Sequence, residues 1–399
     1  GFLMTKTNKQ PAKFSFMEQW KQDRLIDILD TLIDYRGKTP NKVERGIPLI
    51  TAKIVKNGRI ETPTEFLPVE EYKDWMVRGY PQVGDVVLTT EAPLGEVAQL
   101  KDDKIALAQR IVCLRGKEDA LDNTYLKYFL MSNIGQYRLK ARETGTTVTG
   151  IKQSELKEVL IDYPNYELQQ KIASILSSLD NKIELNRRIN DNLEQQAQTL
   201  FKSWFVDFEP FRGGKFVESE LGIIPEGWRV GTLSDLLDIK YGKDHKILND
   251  GNIPVYGSGG IMRLTDGILY NGESVLIPRK GTLNNVLYVN WPFWTVDTMF
   301  YSIEKVPNVA KYCHLLLSKL NLVSMNSGSA VPSMTTDILN KIQVIIANKD
   351  VFNSFNERIS PFYLKTKNNL DENKRLSEIR DSLLPKLMSG KLKVNDLNC

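Results

Sequence analysis

Residues 166–205 read YELQQKIASILSSLDNKIELNRRINDNLEQQAQTLFKSWF, a stretch without glycine or proline. Apolar residues and asparagines recur in it at alternating steps of four and three, at Ile172, Leu176, Leu179, Ile183, Asn186, Asn190, Leu193, Ala197, Leu200 and Trp204. This spacing is the a/d pattern of a coiled coil. At a rise of about 1.5 Å per residue, the stretch predicts a helix about 60 Å long.

The same seam recurs 183 residues later, at Phe355, Ile359, Phe362, Thr366, Asn369, Asn373, Leu376, Arg380, Leu383 and Leu387. Pro361 is expected to start or kink this second helix, and Pro385 to kink its end. Because the seams match position by position, with a pair of asparagines in the middle of each, we expect the two helices to pair antiparallel within one chain. An intermolecular coiled coil and two unrelated amphipathic helices remain alternatives.

The rest of the chain is duplicated as well. Trp20 matches Trp228, residues 84–88 match residues 272–276, and the second copy lacks about 20 residues. A period of about 200 residues indicates a repeated domain and not a solenoid. Ahead of each helix, short apolar runs punctuated by Gly, Pro and Asn read as short strands joined by turns.

These patterns predict an α+β fold. We expect two α/β domains with curled sheets, separated by a long antiparallel two-helix coiled coil and related by a pseudo-twofold internal duplication. The expected boundaries are 14–163 for the first domain, 164–208 for the first spacer helix, 209–224 for a linker, 225–347 for the second domain and 348–393 for the second spacer helix.

The composition is that of an ordinary core-forming protein, with 41% apolar and 26% charged residues. A net charge of +4 means that any basic face must be local. Three widely spaced cysteines predict a reducing compartment without a disulfide framework. The sequence has neither a run long enough to span a bilayer nor the apolar core of a signal peptide, so we expect a cytoplasmic protein.

Motifs for catalysis are missing from the sequence. The two histidines, His245 and His314, have no partner at metal-ligand spacing. Residues 36–39 resemble the end of a phosphate-binding loop, but Leu32 stands where that motif requires glycine. Without any Pro-Pro pair, the chain also lacks the Asn-Pro-Pro-aromatic signature of amino-methyltransferases. We expect a non-catalytic protein that binds no cofactor and no metal itself.

Turn-like segments instead carry residues suited to DNA. Backbone N–H groups, Ser and Thr hydroxyls and Lys bind phosphates, while Arg and Asn read base edges. Each such segment could also be a solvated turn, and Lys152 a plain surface lysine, but they recur at matching places in both copies. The candidate DNA contacts are Tyr35, Arg36, Lys38, Thr39, Thr89, Thr90, Arg142, Thr146, Thr147, Lys152, Tyr241, Lys243, Tyr256, Ser258, Arg279, Lys280, Thr282, Asn284, Ser327, Ser329 and Ser333.

Aromatic residues crowd the end of the first long helix. Trp204, Phe205 and Phe208, with Phe201 and Phe211, are more than a two-helix seam can bury. They predict either a surface for a partner protein or packing onto the adjacent domain.

Several stretches together resemble the specificity subunit of Type I restriction-modification systems. They are Asp34-Tyr-Arg-Gly-Lys-Thr-Pro40, Gly84-Asp-Val-Val-Leu-Thr-Thr-Glu-Ala-Pro-Leu-Gly95, Gly145-Thr-Thr-Val-Thr-Gly-Ile151, Pro225-Glu-Gly-Trp228 and Leu383-Leu-Pro-Lys-Leu-Met-Ser-Gly-Lys391. The resemblance covers residues 14–393. The second copy departs from it, because it has Tyr241-Gly-Lys-Asp in place of Tyr-Arg-Gly-Lys-Thr.

The resemblance implies that each domain is a target recognition domain for one half of a split, asymmetric site in double-stranded DNA. It implies as partners two methyltransferase subunits, which carry S-adenosylmethionine and methylate adenine, and restriction subunits that use ATP and Mg²⁺. Two alternatives of other classes stay open: a scaffold that binds no nucleic acid, and a standalone duplicated nuclease with metal-dependent cleavage.

Overall fold

A computed structural model describes residues 20–35, 37–145, 149–325, 332–392 and 394. The chain divides into two compact units. The first consists of Gly1–Glu184 and Glu372–Cys399, and the second of Leu185–Asp371.

The first copy of the duplication forms short strands and helices followed by one long helix. The strands are β1 (Lys21–Arg24), β2 (Leu29–Asp34), β3 (Ile47–Ile50), β4 (Val55–Lys56), β5 (Arg59–Ile60), β6 (Phe66–Leu67), β7 (Val86–Thr90), β8 (Leu94–Gln99), β9 (Ala106–Leu107), β10 (Ile111–Gly116) and β11 (Leu160–Tyr163). The helices are α1 (Leu25–Ile28), α2 (Tyr72–Trp75), α3 (Asn123–Met131), α4 (Asn133–Lys140), α5 (Gln153–Lys157) and α6 (Tyr166–Phe205).

The main sheet of the first domain has the order β2-β10-β7-β8, and all its neighbouring strands are antiparallel. Successive residues of β7 face different cores: Val86 and Leu88 join one apolar cluster, and Val87 joins another. Because the sheet is covered on both faces, every residue of β7 is buried. A smaller sheet of order β6-β3-β9 lies beside it, with β9 parallel to β3.

The second copy repeats this plan. Its strands are β12 (Phe216–Ser219), β13 (Gly222–Pro225), β14 (Arg229–Thr232), β15 (Leu237–Lys240), β16 (Ile253–Gly257), β17 (Gly260–Thr265), β18 (Ser274–Pro278), β19 (Leu287–Val289), β20 (Trp294–Thr295), β21 (Met299–Glu304) and β22 (Gln343–Ile346). Its helices are α7 (Leu233–Leu236), α8 (Ala310–Lys319), α9 (Thr336–Asn340) and α10 (Lys349–Met388). The expected linker over residues 209–224 contains β12 and most of β13, which pair as a hairpin.

The duplication is visible in individual hydrogen bonds as well as in strand order. The main sheet of the second domain has the order β15-β21-β18-β19, and the smaller sheet the order β17-β16-β20 with β20 parallel to β16. The backbone N–H of Leu25 donates to the Val159 carbonyl at 2.8 Å, and in the second copy Leu233 donates to Ile342 at 2.8 Å. The predicted α+β fold with an internal repeat is therefore confirmed.

The long helices α6 and α10 are each 40 residues long and begin in the same way. The Asn165 side chain accepts a hydrogen bond from the Leu168 N–H at 2.9 Å, and the Asn348 side chain accepts one from the Val351 N–H at 3.0 Å. Such caps satisfy donors that the first helical turn leaves open. No described helix combines the length and the apolarity that crossing a membrane takes.

Within each unit the long helices run antiparallel. In the first unit, Arg380 binds Asp180 at 2.8 Å and Lys182 lies 3.6 Å from Glu372. In the second unit, the Asn369 side-chain amide donates to Asn190 at 2.8 Å. Farther along the same two helices, the ring of Trp204 lies 5.6 Å from that of Phe355. As residue numbers rise on α6, those of the partners on α10 fall.

Proline does not set the start of α10. The helix begins at Lys349 and continues through Pro361 and Pro385, so the alternative that Pro361 starts it is wrong. Pro361 has no N–H to donate to the Glu357 carbonyl one turn earlier. Both residues are exposed, so water can bind that carbonyl instead.

Candidate nucleic-acid interface

In the second domain, an arginine and a tyrosine form an exposed stacked pair. The guanidinium carbon of Arg279 lies 5.5 Å from the ring centre of Tyr241, and Tyr241 is 53% exposed. Tyr241 packs edge-on against Phe300 at 5.0 Å, which fixes its ring in the domain. Nη1 of Arg279 donates to the Asp297 carbonyl at 3.0 Å. The guanidinium is thus held by a ring and by a backbone acceptor, and among the described residues nothing accepts a hydrogen bond from its Nε or Nη2.

The loop that follows Arg279 lies against the turn between β16 and β17. The Asn285 side chain donates to the Ser258 carbonyl at 2.8 Å, and a Cβ at Gly281 would lie 2.8 Å from Ser258 Oγ. The φ of Gly281 is 83°, a backbone conformation that side chains rarely adopt. Lys280 also forms an isolated β-bridge with Ser333.

The other candidates of the second domain belong to the same surface or border it. Lys243, Thr282 and Asn284 are exposed. The Lys243 N–H donates to the Thr295 carbonyl of β20 at 2.8 Å. Asn284 already accepts a hydrogen bond from the Val323 N–H at 3.3 Å through its side-chain oxygen. The second domain therefore brings Tyr241 together with Arg279, and Lys280 together with Ser333.

In the first domain, the matching surface is less basic. Lys38, Thr39 and Lys152 are exposed, and Thr39 donates to the Gln109 side chain at 3.3 Å. Arg142 is bound to Glu155 at 3.0 Å, so part of its charge is already compensated.

Four of the predicted contacts are core residues. Tyr35 is fully buried, and its hydroxyl donates to the Gly79 carbonyl at 3.1 Å. Thr89 and Thr90 are buried in β7, where Thr89 Oγ1 accepts a hydrogen bond from the Glu96 N–H at 2.9 Å. Tyr256 is buried in an aromatic cluster. Because these side chains are enclosed, we do not retain them as DNA contacts.

Five further candidates lie outside the described residues. They are Arg36, Thr146, Thr147, Ser327 and Ser329.

Equivalent backbone positions carry different chemistry in the two domains. The Thr90 carbonyl accepts from the Ile151 N–H at 2.9 Å, and the Arg279 carbonyl accepts from the Met334 N–H at 2.8 Å. Arg279 therefore occupies the position that Thr90 occupies in the first copy. The arginine of the first domain is Arg110, whose carbonyl accepts from the Thr90 N–H at 3.0 Å.

Arg110 differs from Arg279 because it already has an acid partner. Its Nε lies 2.8 Å from a carboxylate oxygen of Glu91, with about half of the Arg110 side chain exposed. Arg110 corresponds to Thr298 and not to Arg279, because the Arg279 N–H donates to the Thr298 carbonyl at 2.8 Å. The first domain thus presents an arginine in an ion pair, and the second an arginine that meets no carboxylate among the described residues. Arg110 is not among the residues predicted from the sequence, although Gln109-Arg110 stands between two strands, where a turn is expected.

The aromatic residues at the end of α6 belong to the core of the second domain. Trp204 and Phe205 are buried, and the Phe205 ring lies 4.6 Å from Tyr312 and 4.9 Å from Phe355. Phe208 is partly buried and packs edge-on against Trp228 at 5.6 Å. Of the two alternatives, the contacts fit packing onto the adjacent domain. We therefore do not retain Trp204, Phe205 and Phe208 as a partner surface.

His314, Cys113 and Cys313 are enclosed in the domain cores. Burial lowers the pKa of His314 to about 4, and its Nδ1 lies 2.7 Å from the Tyr363 hydroxyl. Burial likewise raises the pKa of the Cys113 and Cys313 thiols. In the part of the chain that the structure describes, no three His, Cys, Asp or Glu side chains are grouped to hold a metal ion.

The first domain is fastened to the long helices by a buried charged cluster, which the sequence analysis did not identify. The Asp180 carboxylate on α6 accepts from Lys127 at 3.1 Å, from the Tyr128 hydroxyl at 2.6 Å and from Arg380 at 2.8 Å. Burial by itself raises the pKa of Asp180, but these three donors outweigh it and hold the pKa below its ordinary value. In the sequence repeat, Asp180 aligns with Tyr363, whose hydroxyl contacts His314. Both positions thus join a long helix to a helix of the preceding domain.

Known proteins match this chain along most of its length. The family model for the Type I restriction modification DNA specificity domain matches residues 17–195 and 225–377. The Type I restriction enzyme MjaIX specificity subunit from Methanocaldococcus jannaschii is 32% identical, and the match covers 95% of each chain. The Type I restriction enzyme HindI specificity subunit from Haemophilus influenzae is 26% identical over 73% of this chain and 82% of the relative.

A solved structure has the same fold. The Type-I restriction-modification system S subunit from M. genitalium superimposes with a TM-score of 0.55 at 19% sequence identity. The match covers 94% of this chain and 97% of that one.

Proposed function

This chain belongs to the family of Type I restriction-modification DNA specificity subunits, and we propose that its two sheet domains read the two halves of one split DNA site. Members of the family recognise DNA sequence and are non-catalytic. The chain is therefore a recognition subunit, and the proposal concerns how it recognises DNA and what it brings to the site.

One observation carries the proposal most directly: two domains share a backbone plan but present different side chains at equivalent positions. The Thr90 and Arg279 carbonyls make the same hydrogen bond, but the Thr90 side chain is buried, whereas Arg279 carries a partly exposed guanidinium. Because base edges are read by side-chain donors and acceptors, different side chains on one scaffold select different bases. We infer that the two half-sites differ and that the whole site is asymmetric.

The domain boundaries given by the sequence serve as the working division. Residues 14–163 and 225–347 form the two recognition domains, and residues 164–208 and 348–393 the spacer helices. Within the domains we propose as DNA contacts the exposed or partly exposed residues Lys38, Thr39, Arg142, Lys152, Tyr241, Lys243, Ser258, Arg279, Lys280, Thr282, Asn284 and Ser333. Arg110 joins them.

We propose that the paired long helices set the spacing between the half-sites. A helix of 40 residues extends about 60 Å, whereas DNA repeats every 34 Å or so. A stiff helix pair fixes a distance that a flexible linker would not. Buried asparagines support a fixed alignment, because an asparagine in the seam costs stability unless it meets a partner, as Asn190 meets Asn369.

The catalytic partners follow from the family. We propose that two methyltransferase subunits, which bring S-adenosylmethionine, are positioned on adenines in the two half-sites. Restriction subunits with ATP and Mg²⁺ complete the complex. Such a complex acts on the DNA of the cell, which agrees with the cytoplasmic location expected from the sequence.

Mapping methylated adenines in the host genome tests the proposal. The expected result is a motif of two short, different base sequences separated by unread positions of constant length, which disappears when the gene for this chain is deleted. A continuous motif or a palindromic one would contradict it. A gel shift with the purified complex and a fragment carrying the mapped motif gives an independent readout.

A further inference from the structure

Glu91 is a partly exposed acid that lies among residues proposed to bind DNA. It follows directly after β7, and its side chain, 39% exposed, pairs with that of Arg110. Next to Arg110, the Gln109 side chain accepts a hydrogen bond from the Thr39 hydroxyl at 3.3 Å. The first domain therefore presents a carboxylate beside a guanidinium within its proposed DNA surface.

The backbone holds Glu91 in a defined position. Glu91 forms an isolated antiparallel bridge with Gly150, two residues before Lys152. The two segments approach so closely that a Cβ at Gly150 would lie 2.8 Å from Cβ of Glu91 and 2.8 Å from the Thr90 carbonyl oxygen. Because only glycine fits this contact, the base of the Glu91 side chain is fixed against the segment that carries Lys152.

The second domain has the opposite charge at the equivalent position. Glu91 and Lys280 correspond, since each follows a member of the matched pair Thr90 and Arg279. Each also forms an isolated antiparallel bridge with the segment just before a helix, α5 in the first domain and α9 in the second. An acid and a base at one position of a shared scaffold are expected to prefer different groups of a ligand.

A carboxylate can bind few groups of DNA. A lysine can bind a phosphate or a base, but a carboxylate is repelled by phosphates and only accepts hydrogen bonds. In the major groove, the base donors are N4 of cytosine and N6 of adenine. Adenine also presents the acceptor N7 beside N6, which repels a carboxylate, whereas cytosine does not. Glu91 therefore fits cytosine better than any other base.

Arg110 supplies the complementary chemistry for the other base of the pair. Its Nε lies 2.8 Å from Oε1 of Glu91, and a guanidinium has further N–H donors on Nη1 and Nη2. Guanine presents the acceptors O6 and N7 in the same groove, where its O6 lies next to the cytosine N4. An arginine and a glutamate in contact thus match the donor and acceptor pattern of one C·G base pair.

We propose that Glu91 and Arg110 together read one C·G base pair in the half-site of the first domain. Oε2 of Glu91 accepts from cytosine N4, and the Nη groups of Arg110 donate to guanine O6 and N7. The proposal rests on the proposed function and adds to it one base pair and the two residues that read it. In the second domain, Lys280 is a donor at the equivalent position, so a cytosine is not read there.

Two base analogues test these contacts atom by atom, because both keep the Watson–Crick pair. N4-methylcytosine carries a methyl group in place of the N4 hydrogen that faces the major groove, and 7-deazaguanine lacks the N7 acceptor. Complexes of the full chain with the methyltransferase subunit of the same system are titrated with fragments of the mapped motif, each with one analogue at one position. Dissociation constants are measured for wild type, Glu91→Ala and Arg110→Ala.

Arg24→Ala and Glu158→Ala are the matched controls. These two side chains form an ion pair at 3.2 Å and are 49% and 41% exposed, close to the 48% and 39% of Arg110 and Glu91. Both lie outside the proposed DNA contacts. Melting temperatures verify that all the variants are folded.

We expect each analogue to weaken binding of the wild-type complex at one C·G pair, the same pair for both, by about fivefold or more. N4-methylcytosine should lose its effect in Glu91→Ala, and 7-deazaguanine in Arg110→Ala, while the controls respond as wild type does. Glu91→Gln should shift the preference at this position towards adenine, whose N6 and N7 an amide binds together.

A wild-type complex that is insensitive to both analogues at every C·G pair of the motif would overturn the proposal. So would variants that melt lower but keep every base preference, which would make the ion pair purely structural. Tighter binding of Glu91→Ala to all sequences alike would also overturn it, because the carboxylate would then only repel phosphates. The proposed function is judged separately, by whether the wild-type complex methylates the mapped two-part motif.

Discussion

We propose that one side of the Arg279 guanidinium meets a base. The Tyr241 ring lies beneath it and the Asp297 carbonyl takes Nη1, so little side-chain entropy remains to be lost on binding. Two parallel N–H donors match the O6 and N7 acceptors of guanine in the major groove. We therefore assign Arg279 to a guanine in the half-site of the second domain.

Replacement of Arg279 by Ala is expected to relax one base pair of that half-site. A bidentate contact contributes about 1–3 kcal/mol of discrimination, so preference at that pair should fall roughly 5- to 150-fold. Tyr241→Phe should leave it nearly intact, because the stacked ring remains. Binding to motif variants substituted one pair at a time provides the measurement. Unchanged preference at every pair in the Arg279→Ala protein would rule out the assignment.

Lys280 and Lys152 are expected to act differently, as phosphate contacts. Each change to Ala should weaken specific and non-specific binding alike. It should also reduce the slope of log K against log salt by about 0.9, because one fewer counterion is released. Binding measured between 50 and 300 mM salt tests this. A loss confined to one base pair, with an unchanged slope, would make the residue a base reader.

The sequence could identify reading residues only in part. It placed Tyr241, Arg279 and Lys280 in turns, and these are accessible in the structure. Thr89 and Thr90 were predicted as DNA contacts because of their hydroxyls. They end a strand that is buried on both faces, so these hydroxyls point into the protein. Arg110 was not predicted because its ion pair with Glu91 joins the end of β7 to the start of β10, two places that are distant in the sequence.

At the scale of elements, the Asp180 cluster joins one domain to the helix pair. Lys127 and Tyr128 come from α3, Asp180 from α6 and Arg380 from α10. One carboxylate thus fixes three helices relative to each other within the first unit. Removing its charge leaves two buried cations without their common partner.

Replacement of Asp180 by Asn is expected to destabilise the first unit by about 3 kcal/mol at pH 7. The pKa of Asp180 is lower in the folded state, so its stabilisation is complete above about pH 4, the value of an unfolded aspartate, and is lost as pH falls further. The difference between wild type and variant should therefore shrink below about pH 4. Urea unfolding at a series of pH values provides the measurement.

A difference in stability that stays constant down to pH 2 would show that Asp180 acts through packing and not through charge. Asp381→Asn is the matched control. Asp381 also binds Arg380, at 2.8 Å, but its side chain is 63% exposed, so little change is expected.

The long helices were the most predictable elements. Their seams contain apolar residues at coiled-coil spacing over 40 residues, and the stretch without glycine or proline, Tyr166 to Phe205, coincides with α6, inside the expected spacer of 164–208. The effect of the prolines was harder to predict. The free-energy cost of a proline in a helix depends on whether water can reach the carbonyl that loses its hydrogen-bond donor. The Asp180 cluster depends on contacts between distant parts of the chain, which spacing alone does not indicate.

In the whole molecule, the duplication distinguishes side chains that must differ between the two copies from structural features that must be the same in both. Side chains at the ends of the main sheets differ between the copies, and we assign them to two half-sites. Strand order and helix caps recur, and we assign them to the scaffold. Matching offsets in the sequence revealed the repeat. Which loops meet on one face depended on the fold of each domain.

The central claim is that the helix pair sets the distance between two independent readers. Insertion of seven residues after Leu193 in α6 and after Lys365 in α10 lengthens both helices at matched places, since Asn190 meets Asn369 nearby. One heptad adds about 10 Å, equivalent to roughly three base pairs, and preserves the seam. Adenine methylation mapped in cells with this variant should show both half-sites unchanged and the spacer between them longer. An unchanged spacer, or altered bases in either half-site, would contradict the account.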